Sequence, residues 1–195
     1  MPYLFKPYCT ARNQAGFTLL ELMVTVSLSA IMLTLAVPSF TITIQNNRVT
    51  TQLNDFVSTL NLARTEAIKR GTRITVCKSP DASSCDTSAS GWEQGWIVFI
   101  DSDADETRDS GETILLTSEA MPAGSILRGA PGSDVNNFVS YRASGKTTFP
   151  LSGGEVALLL CDSRNDDNVT KAITVAPTGR VSTVPVSSSS LSCSS

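Results

Sequence analysis

The segment from Gly16 to Pro38 reads GFTLLELMVTVSLSAIMLTLAVP, and the rest of the chain is arranged around it. Between Phe17 and Val37 it contains a single charged residue, Glu21. As an α-helix this stretch is about 32 Å long, at about 1.5 Å per residue, which matches a bilayer hydrocarbon core of about 30 Å. The sequence therefore predicts a membrane-spanning helix with one carboxylate near its start.

The carboxylate of Glu21 is the unusual feature of this helix. A charged side chain at the bilayer centre costs about 2.5–3.5 kcal/mol on insertion scales. Glu21 lies near the end of the span, where the cost is lower, but in a dry assembly it still needs a partner. A cut after Gly16 turns Phe17 into a free N-terminus, whose amine neutralises Glu21 of a neighbouring copy. The alternative is an ordinary membrane anchor that tolerates one glutamate.

The residues before this segment form a basic leader. Lys6 and Arg12 are its charges, and it contains no acidic residue, so the positive-inside rule keeps the N-terminus in the cytoplasm. In a conventional secretory signal the apolar region precedes the cut and is discarded, whereas here it follows the cut and stays. Without the leader, 13 of the 15 basic residues remain against 18 acidic ones, a net charge of −5. That balance argues against a general nucleic-acid binder.

A basic leader that ends in Gly, followed by Phe-Thr-Leu-Leu-Glu and an apolar run, resembles the class III signal of type IV pilins and pseudopilins. The resemblance implies that a prepilin peptidase cuts between Gly16 and Phe17 and methylates the new N-terminus. It also implies that Glu21, the fifth mature residue, and Pro38, the twenty-second, take part in assembly. The implied partners are the peptidase, the inner membrane and other pilins or pseudopilins, which bind through the helix.

The helical pattern continues beyond Pro38. Apolar residues recur at steps of three and four, the signature of one apolar stripe: Val49, Leu53, Phe56, Val57, Leu60, Ala63 and Ala67. The opposite face is polar: Asn47, Arg48, Gln52, Asp55, Arg64, Lys69 and Arg70. Gly71 is a good residue to end the helix. We expect one kinked helix over about 17–70, and the alternative is two helices with a break at Pro38.

After Gly71 the sequence changes to short β-type runs separated by Gly, Pro, Asp and Ser. The predicted strands lie at about 74–77, 95–100, 113–117, 125–128, 137–141, 156–161, 172–175 and 180–184. The run 156–161 is nearly all apolar, so we expect it to be buried on both faces. The fold class is α+β, a mainly antiparallel β domain whose core is closed by the amphipathic half of the helix. The expected segments are a leader (1–16), a transmembrane helix (17–38), the amphipathic half (39–71), a periplasmic β domain (72–186) and a Ser-rich tail (187–195).

Several motifs beyond residue 70 resemble the GspH/FimT branch of the pilin family, and this resemblance implies a type IV pilin fold. They are Val76-Cys77-Lys78-Ser79, the runs 95–101 and 111–115, Tyr141–Gly145–Phe149, Leu159-Leu160-Cys161 and Thr178-Gly179-Arg180. Members of this branch include minor pilins of type IV pili and pseudopilin H of type II secretion. Two assembly functions therefore compete, and we favour the pilus.

The cysteines predict two disulfides. Cys9 belongs to the leader, which leaves Cys77, Cys85, Cys161 and Cys193 in an oxidising periplasm. Three pairings are open. We favour Cys77–Cys85, which closes a short polar loop, and Cys161–Cys193, which ties the Ser-rich tail to a strand. A zinc site is the alternative, but the chain has no His and no C-x-x-C.

An acidic turn has the spacing of a calcium loop. Asp101, Asp103, Asp105, Asp109 and Glu112 occupy positions 1, 3, 5, 9 and 12 of an EF-hand-like pattern. Position 6 should be Gly but is Glu106, which we expect to spoil the sharp turn, and the flanks are strands rather than helices. The favoured interpretation is a solvated acidic hairpin loop without a cofactor, and calcium binding is the alternative.

The residue types give no support for catalysis. The chain has no His to act as a base, no G-x-S-x-G and no phosphate-binding Gly loop. We therefore expect a structural subunit rather than an enzyme.

A DNA receptor is the third hypothesis, because some FimT-side members bind DNA through a Gly-Arg-x-Arg element. Here the element is Gly179-Arg180-Val181-Ser182, with Ser182 in place of the second Arg. Lys146, Arg164 and Lys171 would extend a basic patch, and Asp162, Asp166 and Asp167 would oppose it. One Arg neutralises one phosphate, so DNA is not expected to be a partner.

Overall fold

The computed structural model describes residues 16–88, 91–129, 134–149, 156–162, 164 and 170–185. Within them the chain forms one long helix, α1 (Leu19–Arg70), and eight strands. The strands are β1 (Arg73–Lys78), β2 (Trp96–Asp101), β3 (Ile114–Ser118), β4 (Ile126–Gly129), β5 (Phe138–Tyr141), β6 (Val156–Cys161), β7 (Lys171–Val175) and β8 (Val181–Pro185). Two short 3-10 helices lie at Trp92–Gln94 and Asp134–Asn136.

Helix α1 continues through Pro38, so the alternative of two helices broken at this residue is wrong. The helix ends as expected: Gly71 has a φ of 68° and its N–H donates to the carbonyl of Ala67 at 3.0 Å. The chain divides into two compact units, one ending at Ile44 and the other beginning at Gln45. The sequence had suggested a boundary directly after Pro38, and the observed division lies a few residues later.

The predicted apolar stripe of α1 lies in the main core. Phe56, Leu60, Ala63 and Ala67 are fully buried, and Val49 and Leu53 are nearly so. The ring of Phe56 packs edge-on against Trp92 and Trp96, with 5.1 Å between centroids in each pair. Such contacts add to the burial of three large aromatic side chains. This half of α1 is therefore a core element of the second unit.

Two residues assigned to the polar face of α1 are engaged with the rest of the second unit. Gln52 is buried, because its side chain exchanges two hydrogen bonds with the hydroxyl of Ser125, at 2.8 and 3.0 Å. Arg64 is half-buried and donates to the carbonyls of Gly145 (3.0 Å) and Thr178 (3.2 Å). Part of the predicted polar face therefore contacts the β domain, through hydrogen-bond partners that lie far away in the sequence.

The eight strands form two four-stranded sheets in which every pair is antiparallel. The orders are β3-β2-β1-β5 and β4-β6-β7-β8. β1 therefore lies inside the first sheet, with Val76 opposite Val98 on one side and Val139 on the other. The sequence predicted about seven or eight mainly antiparallel strands, but it did not predict their division into two sheets.

Strand β6 is covered on both faces, as its apolar sequence predicts. Leu158 and Leu160 belong to the main core. Leu159 and Cys161 form a second cluster with Ala172. Alternate residues of a strand point to opposite faces, so both faces of this inner strand are removed from water.

Candidate functional site

The first turn of α1 contains the predicted assembly carboxylate, Glu21. The helix begins at Leu19, two residues later than expected, because Thr18 caps it. Thr18 Oγ1 accepts a hydrogen bond from the N–H of Glu21 at 3.2 Å. A Thr followed three residues later by Glu is the capping-box pattern, a signal that was visible in the sequence and was missed. This bond uses the backbone N–H of Glu21, so it is Thr18 that caps the helix, and the Glu21 carboxylate takes no part in the cap.

The Glu21 side chain is exposed, and among the described residues its carboxylate has no hydrogen-bond or ion-pair partner. The residues of the predicted cleavage site, Gly16 and Phe17, lie just before it in non-helical backbone, and Phe17 is 82% exposed. The leader itself lies outside the described residues.

The part of α1 up to Ile44 presents apolar side chains on all sides. This part makes α1 the one helix within the described residues that is long and apolar enough to cross a membrane. Its large exposed side chains are Leu19, Leu20, Leu22, Met23, Val24, Val26, Leu28, Ile31, Met32, Leu33, Leu35, Val37, Phe40, Ile42 and Ile44. A surface of this extent is covered by lipid or by other proteins in the functional state.

Six hydroxyl groups on this surface are satisfied within the helix. Thr25, Ser27 and Ser29 donate to carbonyls three or four residues earlier, at 2.7–2.9 Å. Thr34, Thr41 and Thr43 do the same at 2.7–3.1 Å. These six hydroxyl groups impose little cost in an apolar environment, since each has an acceptor within the helix. Glu21 is the one charged group in this segment, and it calls for a partner from outside the chain.

The structure brings together three of the five predicted metal-ligating residues. Asp101, Asp103 and Asp105 each place a carboxylate oxygen within 4.8 Å of the others. Asp109 is outside this group, and so is Glu112, whose two carboxylate oxygens accept from the N–H groups of Ser102 (2.6 Å) and Asp109 (3.2 Å).

The expectation that Glu106 spoils the turn is wrong. Glu106 adopts a φ of 65°, in the left-handed region that the Gly of a calcium loop would occupy. Its carboxylate forms an ion pair with Arg73 at 2.7 Å, which holds this conformation in place.

The predicted basic patch does not assemble around Arg180. Lys171 lies opposite Pro185, at the far end of the β7–β8 ladder from Arg180. Arg164 forms an ion pair with Asp162 and donates to Asn46. Lys146 follows Gly145 in the turn that contacts Gly179, so it is the one predicted patch residue that lies near Arg180. Asp166 and Asp167 lie outside the described residues.

The structure contains the predicted disulfide between Cys77 and Cys85. Cys161 is also disulfide-bonded, and its predicted partner, Cys193, lies outside the described residues. Inside the Cys77–Cys85 loop, Asp81 accepts hydrogen bonds from the N–H groups of Ser83 and Ser84, each at 2.9 Å, and from the Ser84 hydroxyl at 2.7 Å. These bonds, with that of the Ser84 hydroxyl the strongest, hold the pKa of Asp81 well below its usual range.

Family models identify the chain. The model for the type II transport protein GspH matches residues 52–179. The chain belongs to the GspH family. The model of the prokaryotic N-terminal methylation motif matches residues 11–37, which include Gly16, Phe17 and Glu21.

Two crystal forms of one solved protein show the same fold, and a second protein is similar at a lower score. The type IV minor pilin FimU of Pseudomonas aeruginosa PAO1 matches with a TM-score of 0.55 at 16% identity, over 76% of this chain and 97% of that one. A second crystal form of FimU gives 0.50 at 14% identity, over 74% and 98%. The minor pseudopilin EpsH of the Vibrio cholerae type 2 secretion system gives 0.47 at 13% identity, over 71% and 97%. No curated protein sequence matches the chain.

The fold is that of type IV pilins, a long N-terminal helix packed on antiparallel sheets. Family membership together with the methylation motif makes this chain a minor pilin or pseudopilin, a structural subunit that assembles with other pilins. Its apolar helix and its pilin-type motif indicate anchoring in a membrane.

Proposed function

We propose that this protein is a minor pilin that is cut after Gly16, methylated on Phe17, and then incorporated into a type IV pilus or used to prime one. The observation that carries the proposal is the exposed apolar part of α1 with its one unpartnered carboxylate, inside the methylation-motif match. The fold is similar to that of the type IV minor pilin FimU, which supports a type IV pilus rather than a secretion pseudopilus.

During assembly the apolar part of α1 leaves the lipid bilayer and enters the fibre. Its apolar side chains are then buried against the helices of neighbouring subunits, at about 25 cal/mol per Å² of apolar surface. Glu21 of one subunit pairs with the N-terminal amine of Phe17 on another. An unpaired charge is costly in a dry core, so this pair fixes the axial position of each subunit.

Before assembly, we place the N-terminus in the cytoplasm and the β domain in the periplasm. The basic leader residues Lys6 and Arg12 support this orientation. The Cys77–Cys85 disulfide supports an oxidising compartment for the second unit.

The pairing is tested with Glu21→Ala in cells that make the fibre. We expect the variant to be inserted and cleaved normally but to be strongly depleted from sheared fibres, because without the carboxylate the Phe17 amine of a neighbouring subunit is left unpaired. Asp55→Ala is the matched control, since Asp55 is an exposed carboxylate on the same helix. Recovery of Glu21→Ala in fibres at the level of Asp55→Ala would exclude the pairing.

Processing is tested separately by intact-mass analysis. The mature protein is expected to begin at a methylated Phe17, and replacing Gly16 with a bulky residue is expected to leave the leader attached. A mature protein that still contains Met1 contradicts the proposed cut.

Pseudopilin H of a type II secretion system is the second candidate, favoured by the description of the matching family model. Deletion of the gene separates the two candidates. Loss of pili with normal protein secretion supports the pilus, and the opposite result supports the secretion system.

DNA is not a proposed partner. We expect a gel shift with double-stranded DNA to show weak or no binding near physiological salt, since Lys171 lies at the far end of the β7–β8 ladder from Arg180 and Arg164 is paired with Asp162. Micromolar binding that persists at moderate salt and disappears in Arg180→Ala would make the protein a DNA receptor instead.

A further inference from the structure

The loop between β2 and β3 brings three carboxylates close together. Asp101, Asp103 and Asp105 each offer one oxygen, and these oxygens all lie within 4.8 Å of one another. Among the described residues, none of the three forms an ion pair with Lys or Arg. Like charges at this distance repel one another, so the loop carries an uncompensated cost.

Asp101 provides the second observation, because it is buried and incompletely paired. The residue is 1% exposed. Its Oδ2 accepts from the hydroxyl of Thr75 at 2.7 Å and from the N–H of Glu106 at 3.3 Å. Its Oδ1 is buried and has no hydrogen-bond partner. Leaving a buried polar atom unpaired costs about 1–3 kcal/mol, and more for a charged group, so a cation at this oxygen would remove that cost.

Neither Arg73 nor Arg108, the basic residues beside the loop, forms an ion pair with the three aspartates. The guanidinium of Arg73 donates to the carbonyl of Ala104 at 2.8 Å and to Glu106 at 2.7 Å. The guanidinium of Arg108 donates to the carbonyls of Ser83 (3.3 Å) and Glu112 (3.1 Å). These contacts hold the loop in shape but leave the charge of the three aspartates unneutralised.

The backbone shapes the loop as a calcium loop is shaped. Ala104 and Glu106 have φ values of 71° and 65°, and they alternate with the three aspartates. Glu112 bonds the N–H groups of Ser102 and Asp109, which ties the two ends of the loop together. The site is therefore organised before any ion arrives, which lowers the entropic cost of binding.

We propose that this loop binds Ca²⁺ through one carboxylate oxygen each of Asp101, Asp103 and Asp105. Backbone carbonyls and waters complete the six to eight oxygen ligands that Ca²⁺ takes at about 2.3–2.6 Å. Two oxygens of such a shell lie up to about 5.2 Å apart, whereas Mg²⁺, at about 2.1 Å, allows only about 4.2 Å. The three oxygens lie within 4.8 Å of one another, which fits inside the shell of the larger ion. The proposal does not depend on which fibre contains the protein.

The test uses the full chain in detergent, first stripped of metal with a chelator. Calorimetric titration with CaCl2 is expected to give a Kd of about 0.1–1 mM, the range of extracellular calcium modules. A tenfold excess of Ca²⁺ over that Kd is expected to raise Tm by about 3–6 °C. The same concentration of MgCl2 is expected to raise it less.

The variants separate a built site from general attraction to an acidic loop. Asp103→Asn with Asp105→Asn removes two exposed ligands, and we expect at least about tenfold weaker binding. Asp109→Asn removes the same kind of charge from the same loop but outside the cluster, and we expect it to bind as the unaltered chain does. The proposal would be overturned if a Ca²⁺ concentration of about ten times the upper expected Kd gave no heat of binding and no change in Tm. A double variant that binds normally, or an Asp109→Asn variant that is equally weakened, would also overturn it.

Discussion

Gly179 belongs to the element that resembles a DNA-binding motif, but its own packing is enough to explain why it is a glycine. It has a φ of 82°, and an added Cβ would lie 1.9 Å from the carbonyl oxygen of Gly145. This carbonyl also accepts from Arg64, so it has little freedom to move. Tight packing between two turns is therefore sufficient to explain the glycine, without DNA.

We predict that Gly179→Ala destabilises the protein by about 1–3 kcal/mol, because it adds both backbone strain and a clash. Gly111→Ala is the control. An added Cβ there meets nothing within 4 Å, so that change is expected to be neutral or slightly stabilising. Thermal unfolding followed by Trp fluorescence measures both, and equal Tm values for the two variants would contradict the packing explanation.

Asp81 gives a prediction about pH. Its hydrogen bonds to Ser83 and Ser84 hold its pKa below the ordinary value of 3.8. A group whose pKa is lowered on folding contributes stability above its unfolded pKa, and that contribution is lost as the pH falls toward the folded pKa. An NMR titration of the carboxyl carbon should therefore give a midpoint below 3.8. A midpoint at or above that value would mean that the Asp81 turn is open in solution.

At the scale of elements, Phe56 joins the helix to both tryptophans. We predict that Phe56→Ala costs about 3–5 kcal/mol, since it leaves a cavity and removes two ring contacts. It should also reduce the near-UV circular dichroism of Trp92 and Trp96. Leu62→Ala, at a site 36% exposed on the same helix, is expected to cost about 1 kcal/mol or less. Similar losses in the two variants would show that this helix is not the core element described above.

The elements themselves could be predicted because their signals are local. The stripe from Val49 to Ala67 has helical periodicity, and the strands are short β-branched runs between turn residues. Trp92 was missed as a core residue because it follows a polar loop and lies in a short 3-10 helix. The pairing of β1 with β5, and of β4 with β6, joins strands that are distant in the sequence, so no local pattern indicates it.

The acidic loop likewise combines features that the sequence predicts with features that depend on distant contacts. Its spacing was readable, but the conformation of Glu106 was not, because that conformation depends on an ion pair with Arg73 on a neighbouring strand. The burial of Asp101 was also hidden, since its hydrogen-bond partner Thr75 comes from β1. A pattern names candidate ligands, and tertiary contacts decide which of them meet.

At the scale of the whole molecule, the main core lies within the second unit. Its buried residues begin at Val49, after the division at Ile44 and Gln45. We predict that a chain beginning at Gln45 is soluble without detergent and unfolds cooperatively, with a Tm within a few degrees of that of the full chain. Circular dichroism tests this. Aggregation of the shortened chain, or a melt without a transition, would show that the first helical segment is needed for folding.

The place where α1 enters the first sheet has a mechanical consequence. The helix leads through Gly71 into β1, an inner strand that is hydrogen-bonded to β2 on one side and β5 on the other. A pull on the helix therefore reaches the sheet through a strand held along both edges, and the load is shared by two ladders. Arg64 adds a second route, because it connects the helix to the turns at Gly145 and Thr178. A subunit built in this way resists being unravelled from the end by which a fibre would hold it.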